Sequence, residues 1–181
     1  MGKRLQLLKE AVPKISKVGF LASRDLWEAK FGAEMEKVAP KTSVSIAGRL
    51  LDSPIQQEEY RRAFSNLAQD GTDALVVDDE NEHVTQRTLI VELVDKARLP
   101  AMYSYPLFVE AGGLMAYGID AIDVGHRTAA LVDRIPKGAK PGEIPIFQPA
   151  KFKLSLNLKT ARTLGVDMPS SLLVSADEVI E

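Results

Sequence analysis

The strongest constraint on the fold is an alternation of short apolar runs and amphipathic helical segments through the first 120 residues. Strands are predicted at 17–22, 42–51, 74–77, 101–103 and 114–117, and helical patterns separate most of them. Parallel strands need crossover connections that pack back on the sheet, and such helices would supply them. The pattern predicts an α/β protein, a three-layer α/β/α arrangement with a mainly parallel sheet of about five strands.

Helices are predicted at 3–12, at 26–38, from Ser53 to Gly71, at about 83–98 and at 121–135. Asp25 and Glu28 have capping-box spacing at the second helix, which Pro40 would close. Asp120 would cap the last helix. The third helix would turn four residues toward the core: Tyr60, Phe64, Leu67 and Ala68.

The strand–helix rhythm stops after Gly138. Residues 140–149 are rich in proline, and residues 151–158 alternate polar and apolar side chains as a half-exposed strand does. We therefore divide the chain into an α/β ligand-binding lobe, residues 1–120, and a crossover helix with a C-terminal strand and helix, residues 121–181.

Composition excludes several classes of function. The formal net charge of −2 provides no general attraction to nucleic acid, and no apolar run approaches the roughly 20 residues that span a bilayer. The absence of cysteine excludes disulfides and thiolate metal sites.

Motifs for common enzyme chemistry are also absent. The sequence has no phosphate-binding loop, no dinucleotide-binding glycine pattern and no nucleophile elbow. Its two histidines, His83 and His126, have no zinc-ligand spacing and are interpreted as surface or capping residues. We therefore predict no catalytic residue, no metal ligand and no cofactor. The alternative is a Mg²⁺-dependent phosphoacceptor or hydrolase that uses Asp52 with the acidic turn 78–80.

Polar and aromatic residues follow the predicted strands, where ligands of open α/β sheets bind. Arginine can pair with a carboxylate, acids can hold an ammonium group, and tyrosines can form an aromatic wall, although tyrosines at strand ends also simply cover a core. The predicted ligand-binding residues are Arg24, Asp79, Asn81, Tyr103, Tyr105, Tyr117 and Asp120. Such a set suits a small organic solute carrying an amine, a ring or both charges of a zwitterion.

Three stretches resemble the substrate-binding proteins of a bacterial ABC-transporter family that includes receptors for tryptophan and similar amino acids. They are KRLQLLKEAVPKISKVGFLAS at the start, RLPAMYSYPLFVEAGGLMAYG in the middle and KFKLSLNLKTARTLGVDMPSSLLVSADEVIE at the end. The closing block is the most specific. Pro136 departs from the family pattern, in which an apolar helix former is usual.

The resemblance implies one lobe of a type I periplasmic-binding fold, specifically the C-terminal lobe, that binds a solute without chemical turnover. It implies an ABC permease as partner and a periplasmic location, although a chain without a signal peptide would remain cytoplasmic. The crossover helix would pack on a missing N-terminal lobe or on a second copy in a homodimer. A cytoplasmic metabolite sensor remains an alternative.

Overall fold

A computed structural model describes residues 2–67 and 70–181, apart from the side chains of Glu36 and Pro40. Ala68, predicted to face the core, lies outside the described residues. The described chain forms a seven-stranded sheet in the order β2-β1-β3-β4-β5-β6-β7. The strands are β1 Lys17–Ser23, β2 Ser45–Leu51, β3 Ala74–Val77, β4 Ala101–Tyr103, β5 Met115–Ile119, β6 Phe152–Asn157 and β7 Glu178–Ile180.

One helix precedes the first strand, and the others lie between strands along the chain. The helices are α1 Gly2–Ala11, α2 Arg24–Leu26, α3 Gly32–Thr42, α4 Gln57–Leu67, α5 Asn81–Thr85, α6 Arg87–Ala97, α7 Pro106–Glu110, α8 Ala121–Arg134, α9 Leu158–Leu164 and α10 Ser170–Ser175. A π-helical turn, Trp27–Phe31, joins α2 to α3, and a 3₁₀ turn spans Pro141–Glu143. Within the described residues, no helix combines the length and the apolar character needed to cross a membrane.

The first five strands are parallel, which confirms the predicted α/β architecture. The sheet reverses direction once, where β6 pairs antiparallel with β5 and Ala116 lies opposite Ser155. The C-terminal tail contributes α10 and β7, and Val179 of β7 pairs with Leu156 in parallel to β6. The sheet is therefore larger than the five strands predicted.

The side chains of successive strand residues point to opposite faces of the sheet and belong to two different hydrophobic clusters, as the alternation in a pleated sheet requires. Phe20 and Val76 belong to a cluster that includes apolar residues of α1 and α3. Leu75 and Val77 belong to a second cluster that includes residues of α4 and α6. Helices thus cover both faces of the sheet, and the three-layer arrangement is confirmed.

Local helix boundaries differ from the sequence predictions. The second helix begins two residues earlier than a cap at Asp25 would place it, because the Ser23 hydroxyl oxygen accepts the Leu26 N–H at 3.2 Å and acts as the cap. It also continues past Pro40 to Thr42, whose hydroxyl donates to the Ala39 carbonyl oxygen at 3.0 Å in the last turn.

Strands β4 and β5 approach closely at Gly118. A Cβ at this position would lie 1.8 Å from the carbonyl oxygen of Ser104. Ser104 is buried, and its hydroxyl donates to the Val77 carbonyl oxygen at 3.1 Å, so it has little freedom to move away. Only glycine fits here without displacing backbone.

We expect Gly118→Ala to destabilise the fold by about 3 kcal/mol, because overpacking here displaces backbone instead of a flexible side chain. The control is Gly125→Ala in α8, where an added Cβ meets nothing within 4 Å. That change should be neutral or stabilise by up to about 1 kcal/mol, since alanine is the better helix former. Urea unfolding followed by circular dichroism measures both, and equal effects would contradict the close approach.

Candidate functional site

A cavity of about 210 Å³ opens at the carboxyl edge of β3, β4 and β5. Residues that end or follow these strands form one wall, while α1, the π-helical turn and α3 form the other. The lining residues are Lys3, Arg4, Lys30, Phe31, Glu34, Asp79, Tyr105, Tyr117, Ile119 and Phe152. Three predicted ligand-binding residues, Asp79, Tyr105 and Tyr117, are therefore brought together in one cavity, which we call the rim pocket.

Two stacked aromatic rings form the apolar part of the rim pocket. The rings of Tyr117 and Phe152 have centroids 5.5 Å apart and planes inclined by 13°. The antiparallel register sets this contact, because Phe152 lies opposite Ile119, two residues from Tyr117 on the same face of β5. The pair presents a flat surface suited to a planar ligand group.

Charges of both signs line the same pocket. The Arg4 Nε donates to the Tyr117 carbonyl oxygen at 2.7 Å, which anchors the guanidinium beside the aromatic pair. Burial lowers the pKa of Arg4, an effect that nearby Asp79 opposes. Arginine stays protonated in proteins, so the positive charge is retained. The other charged lining residues are Lys3, Lys30 and Glu34.

Tyr105 lies between the acidic and aromatic parts of the pocket. Its hydroxyl donates to the Asp79 carbonyl oxygen at 3.5 Å, at the long limit for a hydrogen bond. Burial, and next the negative charge of Asp79, raises the pKa of this phenol. Tyr105 therefore remains a neutral hydroxyl at pH 7.

The helical wall of the rim pocket was not predicted from the sequence. Arg4 could have been identified from the helical spacing. It precedes the buried residues Leu8 and Ala11 by four and seven positions and therefore lies on the core-facing side of α1. A charge at such a position is unusual. Lys30 and Phe31 come from the π-helical turn, which the sequence pattern did not predict.

Arg24 lies outside the rim pocket, at the edge of the sheet near β2. Its Nε is 2.7 Å from one Asp52 carboxylate oxygen, and Arg62 is 2.9 Å from the other. Hydrogen bonds from Arg24 and then Arg62 lower the pKa of Asp52. Both Asp52 oxygens thus have arginine partners, which removes support from the hypothesis that Asp52 shares a Mg²⁺ ion with residues 78–80.

Two more predicted residues lie away from the pocket lining. Tyr103 is fully buried in the core that contains α4 and α6, and its ring stacks on Phe108 at 4.8 Å. Burial raises the pKa of its hydroxyl. Asn81 is the exposed first residue of α5. A ligand role for either residue stays a prediction.

Asp120 caps α8, as the sequence predicted. One carboxylate oxygen accepts the N–H groups of Ile122 and Asp123 at 3.1 and 3.2 Å. The other lies 3.2 and 3.1 Å from the ammonium groups of Lys151 and Lys153. Burial favours a raised pKa, but these hydrogen bonds and charges outweigh it and lower the pKa to about 2. Both carboxylate oxygens of Asp120 therefore have partners within the protein, and Asp120 does not line the rim pocket.

The expectation that His83 is a surface or capping residue is wrong, because the side chain is completely buried. It lies in α5 beside Asp78 and Glu80, and among the described residues these three form the group whose potential metal ligands converge. The group includes neither Asp52 nor Asp79. The role of His83 was not predicted because its spacing from the two acids, five positions after Asp78 and three after Glu80, matches no common metal motif.

Comparison with known proteins identifies a matching protein family. The family model described as "ABC transporter substrate binding protein" matches residues 1–180. No match was found among curated protein sequences.

Solved structures share the fold over almost the whole chain. An ABC domain from Streptococcus pneumonia, solved in complex with L-Trp, is 26% identical with a TM-score of 0.84. A conserved domain protein from Vibrio cholerae O1 biovar eltor is 19% identical with a TM-score of 0.85. A substrate-binding protein with adhesive properties from Clostridium difficile, in a ligand-free, open structure, is 20% identical with a TM-score of 0.69.

These structures are longer than this chain. The alignments cover 99%, 98% and 98% of the chain but only 61%, 59% and 59% of the three structures, in the same order. The chain therefore spans about three fifths of their length.

Asp120 should make stability depend on pH in a defined window. A carboxyl group whose pKa falls to about 2 on folding stabilises the fold above its unfolded pKa, near 3.9, and loses that effect as the pH falls toward 2. We expect Asp120→Asn to lower the free energy of unfolding at pH 7, with the difference from wild type shrinking between about pH 4 and pH 2. Urea unfolding at a series of pH values measures this, and a constant difference would contradict the assignment.

Proposed function

Because the chain belongs to the ABC transporter substrate-binding protein family, we propose that it is the C-terminal, solute-binding lobe of an importer's receptor. It binds a small organic solute, such as an amino acid or an aromatic acid, and does not transform it. The observation that carries this proposal is the rim pocket, in which an aromatic pair lies beside side chains of both charges.

The chemistry of the pocket favours a zwitterion with a planar side chain. Arg4 and Lys3 suit a carboxylate, Asp79 suits an ammonium group, and the Tyr117–Phe152 pair suits a ring. The structural relative solved with L-Trp, at 26% identity, supports an aromatic amino acid as the first ligand to test.

The size of the pocket supports a site shared with a second lobe. Its volume of about 210 Å³ is below the roughly 300–1,000 Å³ of typical ligand pockets, which enclose most of the ligand surface. Closure of a second lobe over the rim pocket would complete the enclosure, and burial of the ligand would raise the affinity.

Helix α8 and the segment after it have an exposed apolar surface for such a lobe. No residue of α8 is buried. The large apolar residues exposed here are Ile122, Val132, Ile135 and Ile146, and we call them the α8 patch. Water contact with so much apolar surface is unfavourable, which favours a covering partner. We propose that the N-terminal lobe covers the patch and that, without it, a second copy of the chain does so.

The transporter context is part of the same proposal. A receptor of this family delivers its solute to an ABC permease, and we propose the periplasm as the compartment in which this one acts. No step of chemistry is needed for that role, and the rim pocket requires no cofactor.

Asp79 should determine recognition of the ammonium group. We expect Asp79→Asn to weaken L-Trp binding about tenfold or more, since a charge-assisted hydrogen bond is lost. Binding of indole-3-acetate, which has the ring and the carboxylate but no ammonium, should change little. Isothermal titration calorimetry measures both ligands.

The matched control is Asp25→Asn, which removes an exposed acid outside the pocket lining and should leave both affinities unchanged. Equal losses for L-Trp and indole-3-acetate would contradict the ammonium role of Asp79. If neither compound binds even when a second lobe is present to close over the rim pocket, the aromatic zwitterion is the wrong ligand class.

The α8 patch should drive self-association of the isolated chain. We expect Ile122→Lys combined with Val132→Lys to weaken association at least about tenfold, because each change places a charge in a desolvated contact. Val174→Lys is the control, since this residue is 88% exposed on α10, outside the patch. Sedimentation equilibrium measures the constants, and a strictly monomeric wild-type chain would contradict the role of the patch.

A further inference from the structure

A buried group of metal-ligating side chains lies beside the rim pocket and has no part in the proposed solute site. Asp78 follows β3, Glu80 precedes α5, and His83 lies within α5. The side chains of Asp78 and His83 are fully buried, and that of Glu80 is 10% exposed. Two carboxylates and an imidazole at this depth are costly to bury unless their charges and lone pairs are satisfied.

The donor atoms converge on one point. The His83 Nε2 lies 3.1 Å from Asp78 Oδ1 and 3.7 Å from Glu80 Oε2, and all three ligand atoms lie within 4.8 Å of one another. Around a tetrahedral Zn²⁺ ion with bonds of 2.0–2.2 Å, neighbouring donor atoms are about 3.3–3.6 Å apart. The two separations that involve His83 Nε2, 3.1 and 3.7 Å, bracket that range.

Hydrogen bonding within the protein leaves this group incomplete. Among the described residues, His83 Nε2 has no hydrogen-bond partner, although Asp78 Oδ1 is close, because the contact lacks hydrogen-bond geometry. Asp78 Oδ2 likewise has no partner in the part of the chain that the structure describes. Buried polar atoms without partners are rare in folded proteins, and two of them in one cluster indicate a group that the protein itself does not supply.

The surrounding contacts hold the ligands in place. The His83 Nδ1 lies 2.8 Å from the Tyr60 hydroxyl, a buried contact that orients the ring with Nε2 toward the carboxylates. Glu80 Oε2 accepts the Ser23 N–H at 2.6 Å, and Asp78 Oδ1 accepts the Glu80 N–H at 3.0 Å. Such outer contacts fix the tautomer and the direction of a metal-binding histidine.

We propose that Asp78, Glu80 and His83 bind a divalent transition metal ion, with Zn²⁺ as the representative. Two carboxylates balance its double charge, and an imidazole ligand favours zinc and its neighbours over Mg²⁺ or Ca²⁺. The ion joins the end of β3 to α5 and, through the residues that orient its ligands, to β1 and α4. It stabilises the loop that carries Asp79 and does not contact the solute.

The test uses the untagged 181-residue chain, first treated with a chelator and then dialysed against ZnCl₂. We expect one zinc per chain by elemental analysis, a saturable isotherm by calorimetry and a rise in Tm, since a ligand that binds the folded state stabilises it. Co²⁺ in place of zinc should give the visible absorption of a tetrahedral site. A chain that takes up no metal would overturn the proposal.

Matched histidine variants locate the ion. His83→Asn should lower zinc affinity at least tenfold, while His126→Asn, which changes the other histidine on exposed α8, should leave it unchanged. If His83→Asn does not fold, Glu80→Gln replaces it as the test variant, because Glu80 is the most exposed of the three ligands. Glu80→Gln should also lower zinc affinity at least tenfold. Wild-type zinc affinity in Glu80→Gln would place the ion elsewhere and overturn the proposal.

Zinc uptake and solute binding are separate measurements. The metal site could fail while L-Trp binding is retained, and the reverse also holds, because Asp79 lines the rim pocket while its neighbours Asp78 and Glu80 belong to the buried group.

Discussion

Parallel pairing of the first five strands is the constraint from which the rest of the structure follows. Each parallel pair needs a crossover connection, and the crossovers bring every strand to its end at the same edge of the sheet. Asp79 and Tyr105 follow β3 and β4, and Ile119 ends β5, yet the three residues line a single pocket for this reason. The reversal at β6 adds Phe152 to the same edge, since an antiparallel strand begins where its neighbour ends.

The carboxyl edge contains two kinds of charged group with different consequences. Charges of the rim pocket face an open cavity, where a ligand of mixed charge can pair with them. Asp78 and His83 are fully buried behind the same loop and Glu80 is mostly buried, so their charges need compensation within the protein or by a bound ion. Asp120 shows compensation within the protein, through a helix N-terminus and two lysines.

The spacing of apolar residues predicted the class of fold well, because the residues that face the core recur with the helical period in helices and at every second position in strands. The five parallel strands, the cap at Asp120 and the rim position of three predicted ligand-binding residues followed from local periodicity and from the shared edge of a parallel sheet. Local periodicity could not show that Tyr103 is a core residue and that Tyr105 lines the pocket. These residues are two apart, but Tyr103 ends its strand facing the core of α4 and α6, and Tyr105 lies beyond the strand in the pocket.

The sequence by itself determined the alternation of strands and helices and the family resemblance. Only the tertiary structure decided which distant residues meet. Arg4 lies more than one hundred positions from Tyr117, and Tyr60 lies twenty-three from His83, so no local pattern encodes either contact. The π-helical turn and the antiparallel β6 likewise depend on packing against the finished sheet. Local spacing specifies elements, whereas burial and partner atoms, which specify a site, exist only once those elements have packed.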